Sequence, residues 1–128
     1  MTSYLWVALG GALGSMARFG LSGFAARTFG TAFPWGTLIV NVVGSLAIGV
    51  AAALVTADGR ALVAGDIRAF VVVGVLGGFT TFSAFSLETL ALARHSGWLA
   101  AGTNVVASVA LCLLAVSLGY WLTTALQR

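Results

Sequence analysis

Gly74-Val75-Leu76-Gly77-Gly78-Phe79-Thr80-Thr81-Phe82-Ser83-Ala84-Phe85-Ser86 places glycines and hydroxyls in the middle of an otherwise apolar run. Glycine weakens a helix by roughly 1 kcal/mol relative to alanine, and unwound backbone inside a bilayer persists only where protein, water or an ion satisfies it. One reading is therefore a transmembrane helix broken near its middle, with freed carbonyls available to a cation. A second reading needs no break: the glycines admit a neighbouring helix, and the hydroxyls bond back to their own helix. Phe82 and Phe85 lie three apart and share a helix face flanked by Ser83 and Ser86, an aromatic stripe with polar interleaving.

The rest of the chain sets the solvent as lipid. Of 128 residues, 60% are hydrophobic and 7% charged, a balance that no water-facing globular surface tolerates. A hydrocarbon core about 30 Å thick takes roughly 20 apolar residues per helical crossing. The chain accordingly reads as one all-α membrane domain, residues 1–128, with four transmembrane helices at about 3–29, 33–57, 68–94 and 97–126. Pro34 is tolerated at the first turn of the second helix, and the polar stretch Asp58 to Arg68 reads as a loop. Trp6, Trp35, Trp98 and Trp121 all fall near helix ends, where amphipathic rings favour the headgroup layer. Small residues four apart, such as Gly10 with Gly14, Ser45 with Gly49 and Gly74 with Gly78, predict close helix packing.

All six basic residues are arginines, scattered along the chain and forming no nucleic-acid footprint. With four crossings, Arg60, Arg68 and Arg128 share one side of the membrane and Arg27 and Arg94 the other. So small a bias gives the insertion machinery little basis for one orientation, which predicts dual topology and pairing of inverted copies. Three acids, one histidine and one cysteine supply no catalytic set, metal-ligand cluster or phosphate loop, so the sequence argues against an enzyme. Cys112 is alone, in an apolar run, and has no intrachain partner for a disulfide.

Polar residues inside the spans are the candidate functional groups. Asn41 and Thr37 share a face of the second helix, where an asparagine either glues helices or offers amide donors to an anion. Asn104, Ser108 and Cys112 recur every four residues on the fourth helix, as a wet track or as a helix seam. Arg18 and Glu88 are ionisable groups within spans; Arg18 draws anions into a vestibule or snorkels to the interface. Arg94 and His95 read as a short solvated loop.

Three blocks together, Gly10-Gly11-Ala12-Leu13-Gly14-Ser15-Met16-Ala17-Arg18-Phe19, Gly36-Thr37-Leu38-Ile39-Val40-Asn41 and Gly77 to Ser86, resemble the Fluc (CrcB-like) fluoride channel family over essentially the whole chain. The resemblance implies an antiparallel, dual-topology homodimer in the plasma membrane that exports fluoride passively. It implies a central structural sodium ion held by the backbone carbonyls of Gly77 and Thr80. It also implies that Phe82 and Phe85 line the fluoride pathway, with Asn41 and Ser83 nearby; Thr81, between them in the chain, is a further candidate. Asn104, Ser108 and Cys112 match the family's polar track; Arg18, from its place within a span, is a further candidate for the fluoride pathway. Two other readings fit a small apolar chain: a dual-topology multidrug exporter and a noncatalytic assembly subunit. The exporter would need an acid deep in the first helix, where this chain carries Arg18.

Overall fold

A computed structural model describes residues 2–56 and 65–127; most of the polar loop, with Asp58 and Arg60, lies outside the described residues, as does Arg128. Every regular element described is helical: α1 (Thr2–Phe29), α2 (Trp35–Thr56), α3 (Gly65–Arg68), a π-helical stretch (Ala69–Leu76), α4 (Gly77–Phe79), α5 (Phe82–His95) and α6 (Trp98–Leu126). From α3 to α5 the chain forms one long rod with a break, so the elements compose four helices. Three of these are long and apolar enough to cross a membrane: Trp35–Leu54, Gly65–His95 and Trp98–Leu126. The chain is thus a multi-pass membrane protein. α1 has 28 residues, which is long enough to span, and its apolar character is diluted by Gly, Ser and Arg18.

The third rod begins at Gly65, inside the stretch that reads as a loop from sequence. Asp66 sits in its first turn, where a carboxylate complements the helix dipole, and it accepts a 3.3 Å bond from Ser3 Oγ of α1. α2 starts behind Pro34, whose carbonyl takes the first helical bond from Leu38 N–H at 3.1 Å. The turn into α6 runs through Gly97 at φ +96°, a left-handed conformation suited to glycine.

Packing follows the small residues. A Cβ on Gly14 of α1 would strike the carbonyl of Val75, and one on Gly78 would strike that of Gly11, so α1 and the first half of the third rod meet backbone to backbone. α2 and α6 do the same, Gly49 against Val116 and Gly119 against Leu46. Such contact replaces hydrophobic burial, which drives nothing between helices when lipid is as apolar as leucine. Large apolar side chains instead point outward, among them Leu9, Leu13 and Met16 of α1 and Leu113, Leu114 and Leu118 of α6.

Candidate functional site

The third rod breaks at Thr80 and Thr81, both of which have extended backbone (ψ 158° and 123°). Gly77 and Gly78 stay helical; Gly78, like Gly74 one turn earlier, packs on α1, and the unwinding falls just beyond them. A break and a close helix contact therefore both occur in the glycine-rich stretch, at different residues. The π-helical winding before the break has no counterpart in the sequence reading.

Unwinding inside a membrane leaves backbone groups that must find partners. Thr81 supplies one, as the N-cap of α5: its hydroxyl accepts from Ala84 N–H at 3.2 Å. Asn41 of α2 supplies two. Its Nδ2 donates to Thr81 O and its Oδ1 accepts from Thr81 N–H, both at 2.9 Å, a side-chain amide paired with a peptide as a strand would be. Gly44, one turn below, has no side chain, and the Thr80 methyl packs there.

These bonds leave two carbonyls short of their helical donors. In an unbroken helix Gly77 O would receive Thr81 N–H and Thr80 O would receive Ala84 N–H; those donors serve Asn41 and the Thr81 hydroxyl instead. Carbonyls whose helical donors turn elsewhere at a helix break are a donor set that suits a bare alkali cation, so Gly77 and Thr80 fit the expected sodium.

A cavity of about 590 Å³ opens at the break. It collects Asn41, Gly77, Thr80, Thr81, Phe82, Phe85, Ser108 and Cys112 from three separate helices. The two rings stand 5.3 Å apart between centroids and tilt 47° to each other. Phe82 is 79% exposed, and other large apolar side chains of this chain, such as Phe19 and Trp98, are as exposed. Ser83 does not line the cavity wall but touches it through Thr81, hydroxyl to hydroxyl at 3.2 Å.

Two residues expected on the pathway stand apart. Asn104 is 1% exposed and serves as a seam: its Nδ2 donates to Thr89 Oγ1 at 2.8 Å, and its Oδ1 accepts from Ser108 Oγ at 3.5 Å. Arg18 is half-buried on α1 and lines neither this cavity nor the next.

A second cavity, also about 590 Å³, lies between α1, α2 and α5. Thr37 Oγ1 donates to Glu88 Oε1 at 2.9 Å, while Glu88 Oε2 is buried with no hydrogen-bond partner among the described residues. Thr37 is one turn from Asn41 on α2, and Glu88 is three residues from Phe85 on α5, so one wall of side chains separates the two cavities. The sequence offered no signal for the Thr37–Glu88 pair, since its members are 51 residues apart and only the packing of α2 on α5 joins them.

Comparison with known proteins bears on what this arrangement serves. Residues 5–120 match the family model described as CrcB-like protein, Camphor Resistance. A protein of Opitutus terrae named fluoride-specific ion channel FluC is 60% identical over 120 residues, 94% of this chain and 91% of its own length. One of the same name from Paramagnetospirillum magneticum is 55% identical over the full length of both chains. A third, from Methylocella silvestris, is 49% identical over 98% of this chain and 95% of its own.

Proposed function

Since the chain belongs to the CrcB-like family, we propose that it is a fluoride-selective channel, passing the anion down its gradient through the plasma membrane and so conferring fluoride resistance. The observation that carries this is the cavity at the break, where Asn41, Thr81, Ser108 and two phenylalanines converge inside an apolar bundle. Fluoride is compact and strongly hydrated, so a low-dielectric route must replace its water with donors. The Thr81 hydroxyl and the second N–H of Asn41 are such donors. Phenylalanine rings carry positive edges, and Phe82 and Phe85 presented edge-on stabilise an anion that their faces would repel. No carboxylate, histidine or lysine lines this cavity, so an anion at the break meets no proton-coupling group there. From it the route continues between Asn41 and Phe85 towards Thr37 and Glu88, into the second cavity.

The working unit in this reading is an antiparallel homodimer. Phe82, exposed on one copy, is covered by the inverted partner, and each copy contributes polar side chains to the routes. Gly77 and Thr80 of both copies hold the structural sodium ion through their carbonyls. When bound, the ion supplies positive potential beside the anion route.

Liposomes containing only the purified chain test the function. An external fluoride electrode should record rapid fluoride release with chloride retained; release of neither or of both equally would refute it. Reporter fusions at the C-terminus test the dimer, since equal labelling from both sides of the membrane is required of inverted copies.

A further inference from the structure

Glu88 is the one carboxylate in the wall of the second cavity among the described residues. Its two oxygens are unequally served: Oε1 accepts the hydroxyl of the buried Thr37 at 2.9 Å, and Oε2 is buried without a hydrogen-bond partner among the described residues. A carboxylate set against apolar surface is costly unless a cation or donors balance it. Arg27 and Arg94, in the last turns of α1 and α5, do not line the cavity, and His95 sits exposed at its rim, two turns along α5 from Glu88.

The surroundings of Glu88 decide which kind of cation suits it. The described residues hold no group of three histidine, cysteine, aspartate or glutamate side chains able to ligate a metal ion. A guanidinium pairs best through both oxygens of a carboxylate, and Oε1 already holds Thr37. An ammonium group needs only separate acceptors. Glu88 Oε1 has a further lone pair, and the Thr37 hydroxyl, which donates to Glu88, can still accept. Turning the carboxylate about its terminal torsion, a soft one, presents Oε2 to the same group.

Beyond these acceptors the wall is mostly apolar, with Phe19 and Ala26 of α1, Pro34 ahead of α2, and Ala91 and Leu92 of α5. Its volume of about 590 Å³ is that of a cleft for a small organic molecule. We propose that the second cavity binds a primary ammonium ion with an apolar tail, the ammonium seated on Glu88 and Thr37, and that this occupant blocks the fluoride route. The block, unlike the binding, rests on the channel reading above, in which the route runs through this cavity.

The probe is 4-phenylbutylammonium, with 4-phenylbutanol as its uncharged match for partition into detergent. At about ten times its Kd the amine should raise the thermal midpoint of the purified full-length chain by about 3 °C, through ligand linkage, and the alcohol should not. Glu88→Gln keeps an acceptor for Thr37 but loses the charge, and Ala91→Phe fills the cavity with Glu88 in place; the shift should be lost in both. Equal shifts from amine and alcohol, or a shift that persists in either variant, would overturn the site. In a planar bilayer the same dose should cut wild-type fluoride current about tenfold, by occupancy alone. Current unchanged at doses that move the midpoint would overturn the block. Wild-type protein with no fluoride current before the amine is added would overturn the channel reading instead, a result distinct from loss of the midpoint shift.

Discussion

Asn41 and Thr81, 40 residues apart in the chain, are joined by two hydrogen bonds of 2.9 Å that satisfy both backbone groups of one residue at the break. The pairing fixes how α2 meets the third rod and, with it, the shape of the cavity between them. One amide N–H of Asn41 is spent in doing so, which leaves the other for the cavity.

Replacing Asn41 by Asp keeps an acceptor for Thr81 N–H but sets a carboxylate against Thr81 O. Fluoride efflux from liposomes should fall more than tenfold, and the protein should lose about 1 to 2 kcal/mol of stability, the scale of interhelical amide bonds in membranes. Asn41→Asp with wild-type efflux would remove Asn41 from the route.

Phe82→Ile keeps bulk and apolarity at the cavity but removes the ring's positive edge. Efflux should fall strongly while the variant elutes as wild type in gel filtration. Equal flux would show that the ring is only filler.

Close packing makes a paired prediction on α1. Gly14→Ala would put a methyl into the Val75 carbonyl and should lower the thermal midpoint in detergent, at a cost of about 1 to 3 kcal/mol for an overpacked contact. Gly20→Ala, with nothing within 4 Å of the added carbon, should be neutral or stabilise by up to about 1 kcal/mol through helix propensity. The order of the two variants is the test.

The proposed ion site is open to measurement without flux. If the carbonyls of Gly77 and Thr80 hold sodium, the folded protein should unfold at higher temperature in sodium than in an equal concentration of N-methylglucamine, by ligand linkage. Identical midpoints across a wide sodium range would count against the site.

Much of this architecture is written locally. Apolar length announces the helices, the tryptophans mark their ends, and the glycines at positions 10, 14, 74 and 78 carry the seam between α1 and the third rod. The glycine-rich stretch announces an irregular rod. Its break lies at Thr80 and Thr81 because two signals coincide there: a threonine able to cap α5, and an asparagine on another helix able to hold the freed peptide. The first signal is local and readable; the second depends on the packing of α2 and is not. The same distinction separates Ser108 and Cys112, which reach the cavity, from Asn104, whose identical spacing leads it to Thr89 and the α5–α6 seam. Periodicity assigns a face of a helix; the neighbour that meets the face decides its use.

Reversal potential under opposed gradients of fluoride and chloride tests the central claim most directly, using the purified chain in a planar bilayer. The account predicts a current that reverses at the fluoride equilibrium potential and disappears in Asn41→Asp. Reversal at the chloride potential, or current that is unchanged in the variant, would contradict it.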